Sequence, residues 1–311
     1  MNDQANRLRE MAMNVRKEIE AELKGNFQKT RVIVISSGKG GVGKTTIAVN
    51  IAMAISSMGK KVVLMDADMG LANIDIMLGI LPKYNLYHMI QGQKNIKDII
   101  IPGPGDLMII PGGSGIDELA NIDQNQLQKL LTEIGKIDGQ YDYMIIDTGA
   151  GISKHVIAFL LAADDAIIIT TPEPTSLTDA YGIIKTVHRR QSFAGNLYLV
   201  VNRVSSDAEG TLVAEKFKQV CTKFLNRDIA LLGSVVNEPL IGEGIKQQQP
   251  FIRIYPKNSA SRNMKSIARS LMEGVAGWDD YSHVDKPAGG IKKFFKKQIY
   301  IIIPNLYNLN Y

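Results

Sequence analysis

Residues 31–49 read Arg-Val-Ile-Val-Ile-Ser-Ser-Gly-Lys-Gly-Gly-Val-Gly-Lys-Thr-Thr-Ile-Ala-Val. The β-branched run at 32–35 predicts a buried strand, and apolar residues at helical spacing from Ile47 onward predict a helix. Between them the spacing Gly38-x-x-x-x-Gly43-Lys44-Thr45 matches a phosphate-binding loop, in the strand–turn–helix context that such a loop requires. This stretch therefore predicts a nucleotide site at the end of the first strand.

The residue types in this turn suit the binding of an anion. Glycines allow backbone N–H groups to curve round phosphate oxygens, and a helix N-terminus turns its unpaired N–H groups toward them. Lys44 is predicted to reach the terminal phosphates, and the Thr45 hydroxyl is predicted to ligate Mg²⁺. The predicted loop contacts are Gly38, Lys39, Gly40, Gly41, Val42, Gly43, Lys44, Thr45 and Thr46. An ordinary loop of this kind does not need the second lysine, Lys39.

Composition limits the class of protein. The 311 residues are long enough for one large α/β domain with extensions, or for two domains. No window approaches the roughly 18–20 apolar residues of a membrane span, and the N-terminus lacks a signal-peptide core. Cys221 is the only cysteine, which excludes an internal disulfide and a multi-cysteine metal cluster within one chain. These features predict a cytoplasmic protein.

Positive charge is concentrated at one end of the chain. The five lysines of residues 286–311, a segment without acids, account for the whole net charge of +5. Residues 1–285 are therefore neutral in sum, and the body of the chain carries no compositional sign of nucleic-acid binding.

Continuous apolar strands alternate with helices along the middle of the chain. This pattern predicts a three-layer α/β fold, a parallel sheet with helices on both faces. The predicted strands are 32–35, 61–65, 107–110, 143–146, 166–170, 197–201 and 229–235, and the predicted helices after the loop helix are 124–137, 177–189 and 214–224.

Acids or amides follow three of the predicted strands: Asp66 with Asp68, then Asp147, then Asn202. Ligands of open parallel sheets bind beyond the carboxyl ends of the strands, although a single acid there can also cap the next helix. Asp147 suits a carboxylate on the Mg²⁺ side of the nucleotide, directly or through water. Asp68 leads into a turn from which it can orient the attacking water.

With these residues the chain resembles the MinD/ParA ATPases, P-loop NTPases of the SIMIBI type. The segment 39–46 is similar to their deviant Walker A motif, 66–75 to switch I and 147–152 to switch II, in family order. The resemblance spans roughly residues 30–275. It implies ATP and Mg²⁺ as cofactors, slow switch-like ATP hydrolysis and an ATP-dependent sandwich homodimer.

The resemblance also implies roles for single residues. Lys39 would reach across the dimer to the partner's nucleotide, as an arginine finger does in trans. Lys44 would bind the phosphates and Asp68 would orient the attacking water, so Lys39, Lys44 and Asp68 form the implied catalytic set. Thr45, Asp68 and Asp147 would hold Mg²⁺. Asn202, with Arg203 beside it, matches the position that reads the adenine, and a helix-capping asparagine is the alternative.

The N-terminal region predicts an amphipathic helix over residues 3–24, either packed on the domain or serving as a partner-binding arm. Residues 3–9 resemble the DQAxxLR motif of the FlhG (YlxH/FleN) family, MinD-like regulators of flagellar number and placement. This resemblance implies docking on FlhF, a signal-recognition-type GTPase, with Gln4 stimulating its hydrolysis. It also implies flagellar basal-body proteins as further partners. The predicted contacts to the GTPase are Asp3, Gln4, Ala5, Leu8 and Arg9.

The C-terminal region predicts a second amphipathic helix, with lysines flanking an apolar and aromatic face. That pattern is typical of reversible binding to the anionic inner face of the cell membrane, whereas a solvated basic tail explains the lysines but not the two phenylalanines. The residues of this segment are Ile291, Lys292, Lys293, Phe294, Phe295, Lys296, Lys297 and Ile299. The predicted domains are a partner arm at 1–29, the ATPase domain at 30–280, and a hinge with the membrane segment at 281–311.

Three alternatives have their own sequence signatures. A MinD/ParA-type ATPase that positions a division site, DNA or another cargo would carry the same motifs, and a DNA-binding member would need a basic patch on the body. An iron–sulfur relative would need more than one cysteine. A bacterial tyrosine kinase would have a C-terminal tyrosine cluster, for which Tyr300, Tyr307 and Tyr311 are sparse.

Overall fold

The computed structural model describes residues 29–68, 73–113, 133–190, 193, 195–274, 289–291 and 293–294. The predicted N-terminal helix and most of the predicted helix 124–137 lie outside these residues. Within them, no helix combines the length and the apolar character needed to cross a bilayer.

The centre of the molecule is an eight-stranded sheet in the order β3-β4-β2-β5-β1-β6-β7-β8. All neighbouring strands run parallel except β3 and β4, which are antiparallel at one edge. The strands are β1 (Arg31–Ser37), β2 (Val62–Ala67), β3 (Ile101–Pro102), β4 (Met108–Ile110), β5 (Tyr143–Ala150), β6 (Asp165–Thr170), β7 (Asn196–Val204) and β8 (Ala230–Val236). The predicted parallel sheet is confirmed. The edge strand β3 was not predicted, because two residues that include a proline show no alternation.

Helices cover both faces of the sheet. They are α1 (Lys44–Ser57), α2 (Ile74–Leu78), α3 (Leu86–Ile90), α4 (Ile96–Ile99), α5 (Lys154–Ala162), α6 (Pro174–Arg189), α7 (Asp207–Leu225), α8 (Pro239–Lys246), α9 (Phe251–Ile254) and α10 (Ser259–Glu273). Two predicted helices begin earlier than expected: α6 opens with a proline in its first turn, and Ser206 caps α7 by accepting a hydrogen bond from Glu209 N at 3.2 Å. Apolar spacing alone misses such polar first turns.

The sheet separates two apolar cores. In β1, Ile33 and Ile35 point into the core under α1 and α10, while Val32 and Val34 point into the core under α5, α6 and α7. The strands β2, β5 and β1 are adjacent and parallel in the middle of the sheet. Their carboxyl ends therefore lie next to one another on the same side of the molecule. The glycine-rich turn, Asp68 just after β2 and Asp147 in the second half of β5 therefore lie side by side. The sequence predicted that the strand would end before Asp147, but β5 continues to Ala150.

Candidate active site

The loop lysine and Asp147, the fifth residue of β5, form a buried ion pair. Lys44 Nζ lies 2.6 Å from Asp147 Oδ1, and the two side chains are 8% and 0% exposed. Lys44 is the first residue of α1, and its N-cap, Gly43, has no side chain to bond the first N–H groups. The start of α1 therefore presents backbone N–H groups and a partly buried lysine, the combination that binds phosphate.

Asp147 is suited to the Mg²⁺ side of a nucleotide. Burial raises the pKa of its carboxyl, while the charge of Lys44 and hydrogen bonds from Lys44 and Thr45 oppose the rise. Its second oxygen, Oδ2, is buried and makes no hydrogen bond within the described part of the chain. That part contains no cluster of three or more His, Cys, Asp or Glu able to hold a metal by themselves. Thr45 and Asp147 thus fit an ion whose remaining ligands are water and phosphate oxygens.

Asp66 organises the first switch. Its carboxylate accepts hydrogen bonds from the backbone N–H groups of Asp68, Asn73 and Ile74 at 3.0, 2.9 and 3.1 Å. Burial and the negative charge of Asp147 raise the pKa of Asp66 to about 6, although the three backbone hydrogen bonds lower it. One side chain therefore joins the two described ends of the switch I loop and holds the backbone of Asp68 in position. The sequence placed Asp66 at a strand end without indicating this role.

The two switches approach each other at Asp68. A Cβ built on Gly149 of switch II would lie 3.4 Å from Asp68 Oδ1, so these residues are near neighbours. Asp68 also lies close enough to Asp147 for its negative charge to favour protonation of that carboxyl, raising its pKa. The structure thus brings together Lys44, Thr45, Asp68 and Asp147, as the sequence predicted.

The glycines of the loop serve different purposes. Gly43 has φ of 89°, and a Cβ there would lie 2.5 Å from Asn202 Nδ2. At Gly38 a Cβ would lie 2.3 Å from the backbone carbonyl carbon of Asp179, so the first glycine allows α6 to pack directly on the loop. A Cβ at Gly40 or Gly41 would meet nothing within 4 Å, which places the open side of the loop there.

Lys39 lies at the mouth of the site and has partners within the same chain. Its Nζ is 3.0 Å from Glu173 Oε2 and 3.2 Å from Thr175 Oγ1, at the start of α6. The side chains of Lys39 and Glu173 are 43% and 58% exposed. The predicted role of Lys39 in a second copy of the chain stays a prediction. Its contact with Glu173, which is 134 residues away, was not predicted from the sequence.

Asn202 lies over the loop and is not a helix cap. Its Nδ2 donates a 2.7 Å hydrogen bond to the carbonyl oxygen of Val42, and the residue is 6% exposed. The cap of α7 is Ser206 instead. Arg203 is exposed and has φ of 59°. Adenine recognition by Asn202 stays a prediction, but this contact shows that the side chain supports the loop backbone.

Asn202→Ala is expected to weaken ATP binding five- to tenfold, because the loop loses a hydrogen bond that contributes about 1 kcal/mol. Ser206→Ala is the matched control: it removes a cap, lowers the stability by about 0.5–2 kcal/mol and leaves ATP affinity unchanged. Calorimetric titration with ATP and thermal melts separate these effects. Unchanged ATP affinity in Asn202→Ala would assign Asn202 to stability alone.

The predicted terminal sites are described only in part. The arm residues Asp3, Gln4, Ala5, Leu8 and Arg9 lie outside the described residues, as do Lys292, Phe295, Lys296, Lys297 and Ile299 of the membrane segment. Ile291 and Phe294 are 0% and 2% exposed within the core between α5 and the sheet, and Lys293 is exposed. The Phe294 ring stacks on Phe159 of α5, with centroids 5.9 Å apart. The start of the predicted lipid-facing side is thus packed on the body.

Comparison with known proteins agrees with this site. A family described as an AAA domain matches residues 30–197, more than half of the chain. The chain is 30% identical to the antiactivator FleN of Pseudomonas aeruginosa over 275 residues, 88% of this chain and 95% of that protein. It is 34% identical to the flagellum site-determining protein YlxH of Helicobacter pylori over 300 residues, 96% of this chain and 98% of that one.

A solved structure shares the fold and holds a nucleotide. The septum site-determining protein MinD of Pyrococcus horikoshii, complexed with Mg-ADP, superposes with a TM-score of 0.65 and 27% identity, over 78% of this chain and 96% of that one. The motif order, the buried Lys44–Asp147 pair and these matches lead to one assignment. The chain belongs to the MinD/ParA family of ATP-hydrolysing P-loop proteins, in the branch that includes FleN and YlxH.

Proposed function

We propose that this ATPase is a switch that pairs with a second copy of itself on binding ATP and Mg²⁺, and thereby regulates the number and placement of flagella. The observation that carries the proposal is the different placement of two lysines. Lys44 is buried on Asp147 inside the site, whereas Lys39 lies half-exposed at its mouth. A cation in that position can exchange its exposed contact with Glu173 for a phosphate presented from outside the chain.

Exchanging the partner of Lys39 costs little. Exposed ion pairs such as Lys39–Glu173 contribute about 0–1 kcal/mol, because water screens both charges. The γ-phosphate of a nucleotide in a second subunit carries more negative charge and lies in a drier interface, where the same lysine is worth more. Binding of ATP by two copies therefore favours moving Lys39 from Glu173 to the nucleotide across the interface.

The flagellar role is supported by the names of the relatives. FleN is an antiactivator and YlxH is a flagellum site-determining protein, and both match nearly the full length of this chain. The N-terminal segment 3–9 supplies the predicted contact to the GTPase FlhF. In this proposal ATP state controls pairing and location, and the arm acts on the GTPase.

Membrane attachment needs the C-terminal segment to leave the body. Burial of Ile291 and Phe294 contributes about 1.5–3 kcal/mol each in favour of the packed state. In lipid the same apolar side chains are buried again, and lysines near an anionic leaflet contribute about 1 kcal/mol each. Two segments in a dimer bind the same surface together, and this avidity favours the lipid. Association with the inner face of the cell membrane is thus tied to the ATP-bound dimer.

A binding experiment with the full-length chain tests the role of the arm. The wild type is expected to recover a signal-recognition-type GTPase from a flagellated bacterium and to raise its GTP turnover. Leu8→Asp should abolish recovery, because a charge replaces an apolar contact on the arm. Gln4→Ala should still bind but stimulate at least tenfold less. Lys17→Ala, a change on the same predicted helix outside the motif, is the control.

Two results would contradict this part of the proposal. One is the absence of any GTPase in the recovered material when Leu8 is intact. The other is full stimulation by Gln4→Ala, which would remove the motif residue from the reaction.

A further inference from the structure

Asp164 accepts hydrogen bonds from both ends of the described chain. It precedes β6 at the amino edge of the sheet, opposite the nucleotide site. Its Oδ2 accepts a 2.9 Å hydrogen bond from Val32 N in β1, and its Oδ1 accepts a 2.9 Å bond from Gly289 N at the start of the C-terminal segment. One largely buried carboxylate thus holds the first strand with one oxygen and the C-terminal segment with the other.

Asp138 makes a parallel connection. Its Oδ1 accepts a 3.3 Å hydrogen bond from Thr30 N, the residue that leads from the N-terminal region into β1. On the other side it abuts Gly290, which has φ of 79° and on which a Cβ would lie 2.7 Å from Asp138 Oδ2. Thr30 itself is fully buried, and its hydroxyl donates to the Tyr141 carbonyl at 2.8 Å.

We propose that Asp138 and Asp164 form a terminal latch, through which release of the C-terminal segment loosens the entry of the N-terminal region into β1, and the reverse. The latch consists of these two aspartates with Thr30, Val32, Gly289 and Gly290. A consequence of the latch for membrane or GTPase binding rests on the proposed function, whereas the coupling between the two ends does not.

The physical basis is a hydrogen-bonding carboxylate shared between the two ends at Asp164, and close packing against Gly290 at Asp138. When Gly289 leaves, Asp164 keeps one N–H donor and becomes open to water, so its bond to Val32 competes with solvent. When Gly290 leaves, the space beside Asp138 opens in the same way. Since each aspartate connects both ends, the free energy that holds one end depends on the other, and such coupling is reciprocal.

The apolar anchor lies one turn beyond the latch. Phe294 N bonds to Gly290 O at 3.1 Å, and the Phe294 ring stacks on Phe159 of α5. Substitution of Phe294 therefore releases the segment while both aspartates and every residue of the first strand keep their identity. This separation makes the coupling measurable.

Hydrogen exchange of the full-length protein tests the latch. Phe294→Asp is expected to raise the exchange rate at least tenfold both at residues 289–294 and at the amides of Thr30 and Val32. Phe224→Asp is the matched control, because Phe224 is 64% exposed on α7. It should leave both regions unchanged. Loss of protection at 289–294 with wild-type protection at Thr30 and Val32 would overturn the proposal.

A second pair of variants checks the same point through the backbone. Gly290→Ala should release the segment, because its Cβ would meet Asp138, and should again raise exchange at Thr30 and Val32. Gly59→Ala carries the same backbone strain, with φ of 82°, but its Cβ would meet nothing within 4 Å. Equal exchange in the two variants would overturn the latch. No lipid or GTPase is present, so its failure is distinct from failure of the proposed function.

Discussion

Lys39→Ala is expected to lower ATP turnover about 10³-fold and to prevent ATP-dependent pairing, while ATP affinity of the single chain stays within about threefold of the wild type. A cation supplied in trans to a phosphoryl transfer contributes on the order of 10³–10⁵ in rate. ATP affinity is preserved because Lys44, at the start of α1, remains on Asp147 beside the predicted phosphate position. Turnover assays, light scattering after a sizing column and ATP titration measure the three quantities.

The control for Lys39 is its partner within the chain. Glu173→Gln removes the charge that Lys39 contacts at 3.0 Å and leaves the lysine in place. If Lys39 acts on a nucleotide across the interface, Glu173→Gln should pair on ATP at least as readily as the wild type. If Glu173→Gln instead reproduces the loss seen in Lys39→Ala, the contact within one chain carries the activity and the proposed pairing through Lys39 is wrong.

Asp68→Ala is expected to reduce hydrolysis about 10²–10⁴-fold and to accumulate the ATP-bound dimer. A positioned acid or base contributes about that factor, and its loss leaves the phosphate contacts of the loop intact. The location supports this role, because Asp68 follows β2, donates its backbone N–H to Asp66 and lies beside Gly149 of switch II. Single-turnover hydrolysis and a sizing column run in ATP and Mg²⁺ separate binding, chemistry and pairing.

Asp106→Ala is the matched control for Asp68. Asp106 is an exposed acid in the loop before β4, at the opposite edge of the sheet, and its loss should change neither turnover nor pairing. A chain that stays monomeric in ATP even as Asp68→Ala would contradict the switching mechanism. Wild-type turnover in Asp68→Ala would remove Asp68 from the reaction.

Local sequence determined the centre of the site. A β-branched strand, a glycine-rich turn and a helix that begins at Lys44 are neighbours in the chain, so their geometry follows from short-range rules. The acids of β2 and β5 were also predicted, because parallel strands bring their carboxyl ends to one edge whatever their order. Lys44, Thr45, Asp68 and Asp147 therefore lie together as the sequence predicted.

Contacts between distant residues were not predictable in the same way. The bond from Asn202 to Val42 joins positions 160 residues apart, and it replaced helix capping as the structural role of Asn202. The packing of α6 on Gly38 depends on where a backbone carbonyl of Asp179 arrives, which no spacing in the sequence reports. Such contacts depend on how helices pack across the sheet.

The two ends of the chain show the same division most clearly. The spacing of apolar residues and lysines from Ile291 onward predicted an amphipathic helix, because side-chain periodicity is a local property. Only the tertiary structure decided which surface the apolar side meets first, since Phe159 becomes a partner only when α5 is packed on the sheet. The sequence by itself thus determined the nucleotide site, and the amphipathic tail beyond Phe294 stays a prediction. The fold decided that Lys39 first pairs with Glu173 and that Asp138 and Asp164 join both termini, because those pairs meet only after distant strands and helices have assembled.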